Sequence, residues 1–422
     1  MTEAIQEKKF EIAQQSGTSA FSTSSTKEAR KEFATLELPT TRMEAWKYTR
    51  LAKLKRANLR ISDEETVSRE LIKEKLVPGI EGSVLVFVNG FFQESLSEIQ
   101  AESALSITAC SNADQLLQFE TVRPNEADFF DTMNQAYATD GVELHVRKGE
   151  TAGQVVQCLF LTVGNEYYAG VRNSIHIESG AAAEFIFLYD SEKSEQCLNH
   201  SLTNIQVDQQ ATLTLNLIQN SDPQGFCVNR SYVSQARDSK FSINTITLDG
   251  LLVRNDLFIR VDGSNAETHL NGAYILKGKQ HVDNHTTVDH RVAHCESNEL
   301  YKGVMDEEST AVFNGKVFVR QDAQKINAFQ SNGNVLLSDS ATVNSKPELE
   351  IYADDVKCSH GSTTGQLDEE AVFYLRARGL SEKSARSLMV SAFIGEVLDQ
   401  LGNEELHSHI YTLLERKYAW VL

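Results

Sequence analysis

The residues with the most chemical promise form one run near the end of the chain, Lys357-Cys358-Ser359-His360-Gly361-Ser362-Thr363-Thr364-Gly365. If the run is extended, Cys358 and His360 share a face, about 6.6 Å apart along the backbone. Thiolate and imidazole are the usual soft and borderline ligands for iron and zinc. A neighbouring histidine can also lower a thiol pKa, which would make Cys358 more reactive. Two donors cannot close a stable cluster site, so this reading requires further ligands from elsewhere. The plainer reading is a buried cysteine beside a hydrogen-bonded histidine at a strand end. Residue types alone leave both open.

A denser group lies upstream. Between His281 and Cys295 stand four His, two Asp and one Cys, a composition that invites a mononuclear metal site. Yet His281, His285 and His290 do not share a parity, so one strand cannot face all three the same way. The helical H-E-x-x-H pattern is absent. A surface or turn-lining role is expected for this group. The six cysteines, at 110, 158, 197, 227, 295 and 358, are separated by 30 to 68 residues. No C-x₂-C, zinc-ribbon or ferredoxin spacing results, and reduced thiols are expected.

Other chemistries lack their signals. Gly278-Lys279-Gln280 and Gly315-Lys316-Val317 fail the phosphate-binding G-x-x-x-x-G-K-[ST] pattern. Neither a dinucleotide G-x-G-x-x-G nor a G-x-S-x-G elbow is found. With 59 acidic against 40 basic residues, the formal charge is −19. Such a surface repels nucleic acid and anionic membranes, and it also serves solubility. No apolar run approaches the roughly 20 residues of a membrane helix. Met1 to Phe10 lacks the apolar stretch of a secretory signal, so a cytoplasmic location is expected.

The elements that must position these residues fall into three zones. Residues 1–150 are mixed. Ser16 to Thr26 reads as a flexible lead-in, Lys27 to Leu38 as a helix stopped by Pro39, and Val84 to Phe92 as a hairpin turning at Asn89-Gly90. Residues 151–365 are a succession of short strand-like runs, including Ala183–Leu188, Ala211–Ile218, Phe241–Leu248, Leu257–Val261, Val312–Val319 and Leu349–Tyr352. Many alternate apolar and polar residues, the period of a half-buried strand. Only Pro223 and Pro347 interrupt them. So many short strands must stack or close on themselves, and with no strict repeat the pattern fits a solenoid or a sandwich alike. Residues 366–422 are helical. Asp368 and Ser381 are N-cap residues, and Ala385, Leu388, Met389, Ala392, Phe393, Val397 and Leu401 recur at helical spacing up to Gly402. A third helix is expected over about Glu404 to Lys417.

Several segments together resemble the SufB/SufD family of iron–sulfur cluster assembly scaffold proteins. Asp354 to Gly361, continuing through Gly365-Gln366-Leu367-Asp368 to Phe373-Tyr374-Leu375-Arg376-Ala377-Arg378-Gly379, is similar to the family's C-terminal signature. Tyr301-Lys302-Gly303, Phe313-Asn314-Gly315-Lys316, Asp322-Ala323-Gln324-Lys325 and Lys346-Pro347-Glu348-Leu349-Glu350-Ile351 match in order. Glu44-Ala45-Trp46-Lys47-Tyr48-Thr49 resembles the W-K-Y-T element of the SufD branch. The matches span about residues 39 to 400.

The resemblance implies a mainly β chain: a right-handed parallel β-helix core flanked by a mixed N-terminal domain and a C-terminal helical domain. It implies a non-catalytic subunit of a complex with SufB and two copies of the ATPase SufC. The β-helix cores would pair, and the helical tail would dock the ATPase through Phe373, Tyr374, Arg376, Arg378 and Phe393. Cys358 and His360 fall on the junction motif, as ligands or transfer groups for iron or an iron–sulfur cluster that is transient and shared with SufB. His281 falls on a family position of undefined role. An exposed β-helix flank also predicts a homodimer when the chain is isolated. The alternatives are a SufB-like cluster-carrying paralogue or a β-helix carbohydrate-active enzyme.

Overall fold

The computed structural model describes Phe10, Ile12 and residues 24–61, 65–109 and 128–418. Cys110 and most of the Ser16–Thr26 lead-in lie outside the described residues. The strand-like runs form two ten-stranded sheets, and consecutive strands alternate between them. From Val155–Asn165 onward each strand pairs in parallel with the strand one coil later, while Phe91–Phe92 and Leu105–Ala109 pair antiparallel with their neighbours. Leu252 lies in register with His281, His281 with Thr310, and Thr310 with Thr342. The result is a β-solenoid of about eight turns, which resolves the choice between solenoid and sandwich.

The missing sequence repeat has a structural counterpart. Gly180, Gln210, Asp238, Asn265, His294 and Lys325 occupy successive coils, and all have left-handed φ, from 57° to 72°. Several donate their N–H to the next coil, as Gln210 does to Arg237 O, Asp238 to Ser264 O and His294 to Gln324 O. The corner repeats as a backbone conformation, while its side chain varies. Asn and Asp tolerate this region best and Gly is unrestricted, yet the coil holds Gln, His and Lys there as well.

Parallel sheets need apolar cover on both faces, and three packed layers supply it. Inside the coil lie Phe160, Phe187, Leu215, Phe241, Val282 and Phe313. The outer face of one sheet, with Tyr168, Leu198, Phe226 and Leu252, is covered by the Trp46–Ile61 region and the helix Phe129–Tyr137. The outer face of the other, with Ile218, Ile246, Ile275 and Val304, is covered by the helical tail. Each large side chain buried in this way contributes about 1.5–3 kcal/mol.

The mixed zone opens the solenoid: Gly82–Val88 pairs with Val155–Asn165, and Val142–Val146 with Tyr167–Ile177. The hairpin is present, with Asn89 at φ 51° and Gly90 at φ 88°. The helix expected from Lys27 runs instead from Ser24 to Phe33. In the tail, helices cover Glu369–Ala377, Glu382–Leu398 and Glu404–Tyr418. Asp368 and Ser381 cap the first two, accepting backbone N–H bonds.

The two ends differ. The last two strands, Thr342–Ile351 and Val356–Gln366, contain no fully buried residue and end their sheets as free edges. Pro347 sits in the first of them, where an edge strand tolerates a missing N–H.

Candidate functional site

Cys358 and His360 lie on the terminal strand, whose only ladder partner among the described residues is Ile326–Leu336. Cys358 is in register with Ala328, and His360 with Gln330. They share the inward parity, so both belong to the mouth of the solenoid. Cys358 is half-buried against the interior core, and His360 is exposed. Partial burial raises the Cys358 thiol, opposed by a hydrogen bond from the Ala328 N–H. The expectation that His360 would lower that thiol does not hold: burial dominates, and the opposing group is a backbone amide. Two serines close the mouth. Ser362 donates to Ser345 at 2.7 Å, and Ser345 donates to Asn332 at 2.7 Å.

Beneath His360 the interior turns polar. Gln330 is buried and donates Nε2–H to Glu299 at 2.6 Å. The other Glu299 oxygen accepts from Thr286. Burial pushes the Glu299 carboxyl up to about 7, and the bonds from Thr286 and Gln330 only partly offset it. Neither residue carries a motif in the sequence. The signal that could have found them is spacing, since positions 299, 330 and 360 are successive in-register partners. Among the described residues, no three His, Cys, Asp or Glu side chains converge as a metal site. The mouth therefore offers two donors, and a cluster resting on them needs more from another chain.

The histidine-rich group is placed differently from its expected surface or turn role. His281, His285 and His290 all lie on the strand His281–His290, which is paired on both sides. His290 faces the interior, 2.9 Å from Ser297, and burial lowers its pKa to about 4. His281 and His285 face outward, under the N-terminal segment. Thr49 donates its hydroxyl to Asp283, so it receives the hydrogen bond from His281 Nε2 at 2.9 Å. His285 lies 3.0 Å from Asp283. Asp283 is fully buried, and the Arg254 guanidinium beside it holds its carboxyl well below the usual range in spite of that burial. Arg254 also pairs with Asp256 at 2.6 Å, donates to Ala45 O, and lies 4.3 Å from the centre of the Trp46 ring. The W-K-Y-T element is thus a latch that fastens the N-terminal segment over this strand. Strand parity sets His290 apart from the other two, whose cover comes from Trp46 and Thr49, distant in sequence. His294 alone is an exposed corner residue.

The tail presents an unpartnered surface. Phe373 is 72% exposed, Tyr374 56% and Leu388 44%. Arg378 lies 4.4 Å from the Tyr374 ring centre, and Arg376 pairs with Glu382 at 3.5 Å. Phe393 does not join them. It turns to the solenoid beside Gly333, with Lys302 over its ring at 4.7 Å. The buried face of the second helix is Ala385, Val390, Ile394, Val397 and Leu398, so Leu388 and Ala392 of the expected stripe point outward. Lys417, bonded to Asp249 and Leu248 O, and Tyr418, bonded to Ile275 O, fasten the tail at its far end.

The comparisons with known proteins agree with this architecture. Residues 160–393 match the model of the SUF system FeS cluster assembly SufBD core domain, and residues 4–158 that of the SufBD protein N-terminal region. An iron–sulfur cluster assembly SufBD family protein of Synechocystis is 32% identical over 382 residues, 87% of this chain and 84% of that one. The iron–sulfur cluster assembly protein SufD of Escherichia coli is 27% identical over 377 residues, 88% of each chain. These matches displace the carbohydrate-enzyme alternative. With a coil flanked by N-terminal and helical layers, and with family models covering nearly its whole length, the chain belongs to the SufBD family of iron–sulfur cluster assembly proteins and is a homologue of SufD.

Proposed function

We propose that this chain is the SufD-type, non-catalytic subunit of a cytoplasmic cluster assembly complex. Its open solenoid end pairs with SufB, and its tail binds the ATPase SufC. The observation that carries this reading is the uncovered terminal coil. The outer faces of the middle coils are packed under other elements, while the strands Thr342–Ile351 and Val356–Gln366 keep free edges. Such edges are pairing templates, and the edge nearest the mouth carries Cys358 and His360. Two donors from this side and further donors from the partner would hold iron or a nascent cluster transiently. The exposed tail residues Phe373, Tyr374 and Leu388, with Arg376 and Arg378, supply an apolar patch rimmed by cations for the second contact. A homodimer through the same free edges is the expected state when SufB is missing.

The test is co-expression with SufB and SufC from the same genome, followed by anaerobic purification. Wild type is expected to recover both partners. Cys358→Ala and His360→Ala are expected to recover both partners with less iron and sulfide. Phe373→Glu combined with Leu388→Glu is expected to retain SufB and lose SufC. Full SufC recovery by that double variant would remove the tail from the docking surface.

A further inference from the structure

We infer that Gln330, oriented by Glu299, is the positioning residue that fixes which ring nitrogen of His360 faces out of the solenoid mouth. This rests on the reading of His360 as a donor, and it adds residues that neither the motif nor the family match singles out.

Gln330 is 97% buried, and among the described residues its Oε1 has no hydrogen-bond partner, although its Nε2 donates to Glu299. Buried amide oxygens are rarely left unpaired, so the exception needs an account. The carboxamide is planar, with oxygen and nitrogen on opposite sides of its carbon. With Nε2 turned back toward Glu299, Oε1 is directed away from that strand. On the other side, the in-register neighbour is His360, one strand spacing of about 4.8 Å away.

An ionised Glu299 accepts and cannot donate, so it holds the amide with its nitrogen on that side. Gly315 on the facing wall leaves the space that Gln330 Nε2 fills, since a Cβ there would stand 2.0 Å from that nitrogen. Glu299 is held in turn by Thr286. With Glu299 ionised, the column from Thr286 through Glu299 to Gln330 presents one acceptor and no donor to the mouth. An imidazole that turns onto this acceptor gives its N–H inward and leaves the lone pair of its other nitrogen outward. Metal-ligating histidines usually donate their second nitrogen to such a partner, and the partner sets the tautomer.

The experiment is nuclear magnetic resonance of the full chain labelled with ¹⁵N-histidine, with the His360 signal assigned by its loss in His360→Ala. Wild type is expected to show one neutral tautomer, and Gln330→Met a mixture of the two. Gly315→Ala, which displaces the amide from the opposite wall, gives the same readout should Gln330→Met not fold. A mixed tautomer in wild type, or an unchanged single tautomer in a folded variant, overturns the proposal. In the purified complex, Gln330→Met is expected to weaken iron retention about tenfold, in line with the loss of other outer-shell partners. The two readings separate cleanly. A fixed tautomer with full cluster retention in His360→Ala keeps the positioning role and removes the ligand role.

Discussion

The strand His281–His290 and the strand Val356–Gln366 invite the same chemistry on paper, and the solenoid treats them in opposite ways. The first has more metal-type side chains, yet every one of its histidines is engaged. It is paired on both edges, and outside it lie Trp46 and Thr49. The second has one cysteine and one histidine and, among the described residues, a single ladder partner and no cover. What makes a site here is vacant donor capacity at a free edge, and the density of ligand-type residues is a poor guide to it. A solenoid generates this contrast by construction, because interior coils have neighbours on both sides and the last coil does not.

The contrast is broken most severely at the latch. Removing Arg254 takes the main cation from the buried Asp283 and leaves it only Thr49 and His285, and losing one partner of such a pair costs about 3–5 kcal/mol. Arg254→Met is expected to lower the denaturant midpoint by a corresponding amount. His360→Ala is expected to stay within about 0.5 kcal/mol of wild type. Equal effects of the two would erase the distinction between a structural and a vacant histidine region.

A slightly smaller effect is expected from pH. Glu299 has its folded pKa raised from 4.5 to about 7. Its contribution is therefore fully present below pH about 4.5, and it is lost as pH rises through about 7. The difference amounts to about 3 kcal/mol at most. His290 runs the other way. Its folded pKa is lowered from 6.5 to about 4, so stability present above pH 6.5 is lost as pH falls toward 4. Glu299→Gln should flatten the first slope and leave the second, as read from denaturant midpoints between pH 4 and 8. An unchanged profile would remove Glu299 as a titrating interior group.

Thiol accessibility sharpens the comparison further. Cys158, Cys197, Cys227 and Cys295 are buried, and Cys358 is not. Burial pushes the Cys227 thiol up to about 12. Alkylation of the native chain, followed by peptide mapping, is expected to label Cys358 well before those four. Labelling of Cys227 at a comparable rate would mean the interior opens readily. The smallest effect belongs to the tail, where Phe373→Ser should change stability by less than about 0.5 kcal/mol, because that ring is 72% exposed.

Much of this architecture was legible in the sequence, and the reasons it stopped are physical. Alternation over Ala211–Ile218 and Phe241–Leu248 gave strands, and the caps Asp368 and Ser381 gave helix starts, because those signals are local. The coil repeat was hidden because its corner conserves a φ angle across Gly180, Gln210, Asp238, Asn265, His294 and Lys325. The Cys358–His360 pair was legible by parity. Gln330 and Glu299 were invisible until register placed them under His360. Of the apolar stripe of the second tail helix, Ala385, Val397 and Leu401 are buried, whereas Leu388 and Ala392 are exposed and Ser387 and Ser391 take places on the inner face. Composition alone does not tell which apolar side chains a helix reserves for another molecule.

The most direct test sets the two strands against each other in one preparation. His360→Ala and His285→Ala are each expressed with SufB and SufC, purified anaerobically, and measured for iron and sulfide at equal complex recovery. His360→Ala is expected to lose cluster from an intact complex while His285→Ala retains it. Full cluster in His360→Ala, or equal loss in both, would contradict the claim that the free terminal edge is where this chain handles iron.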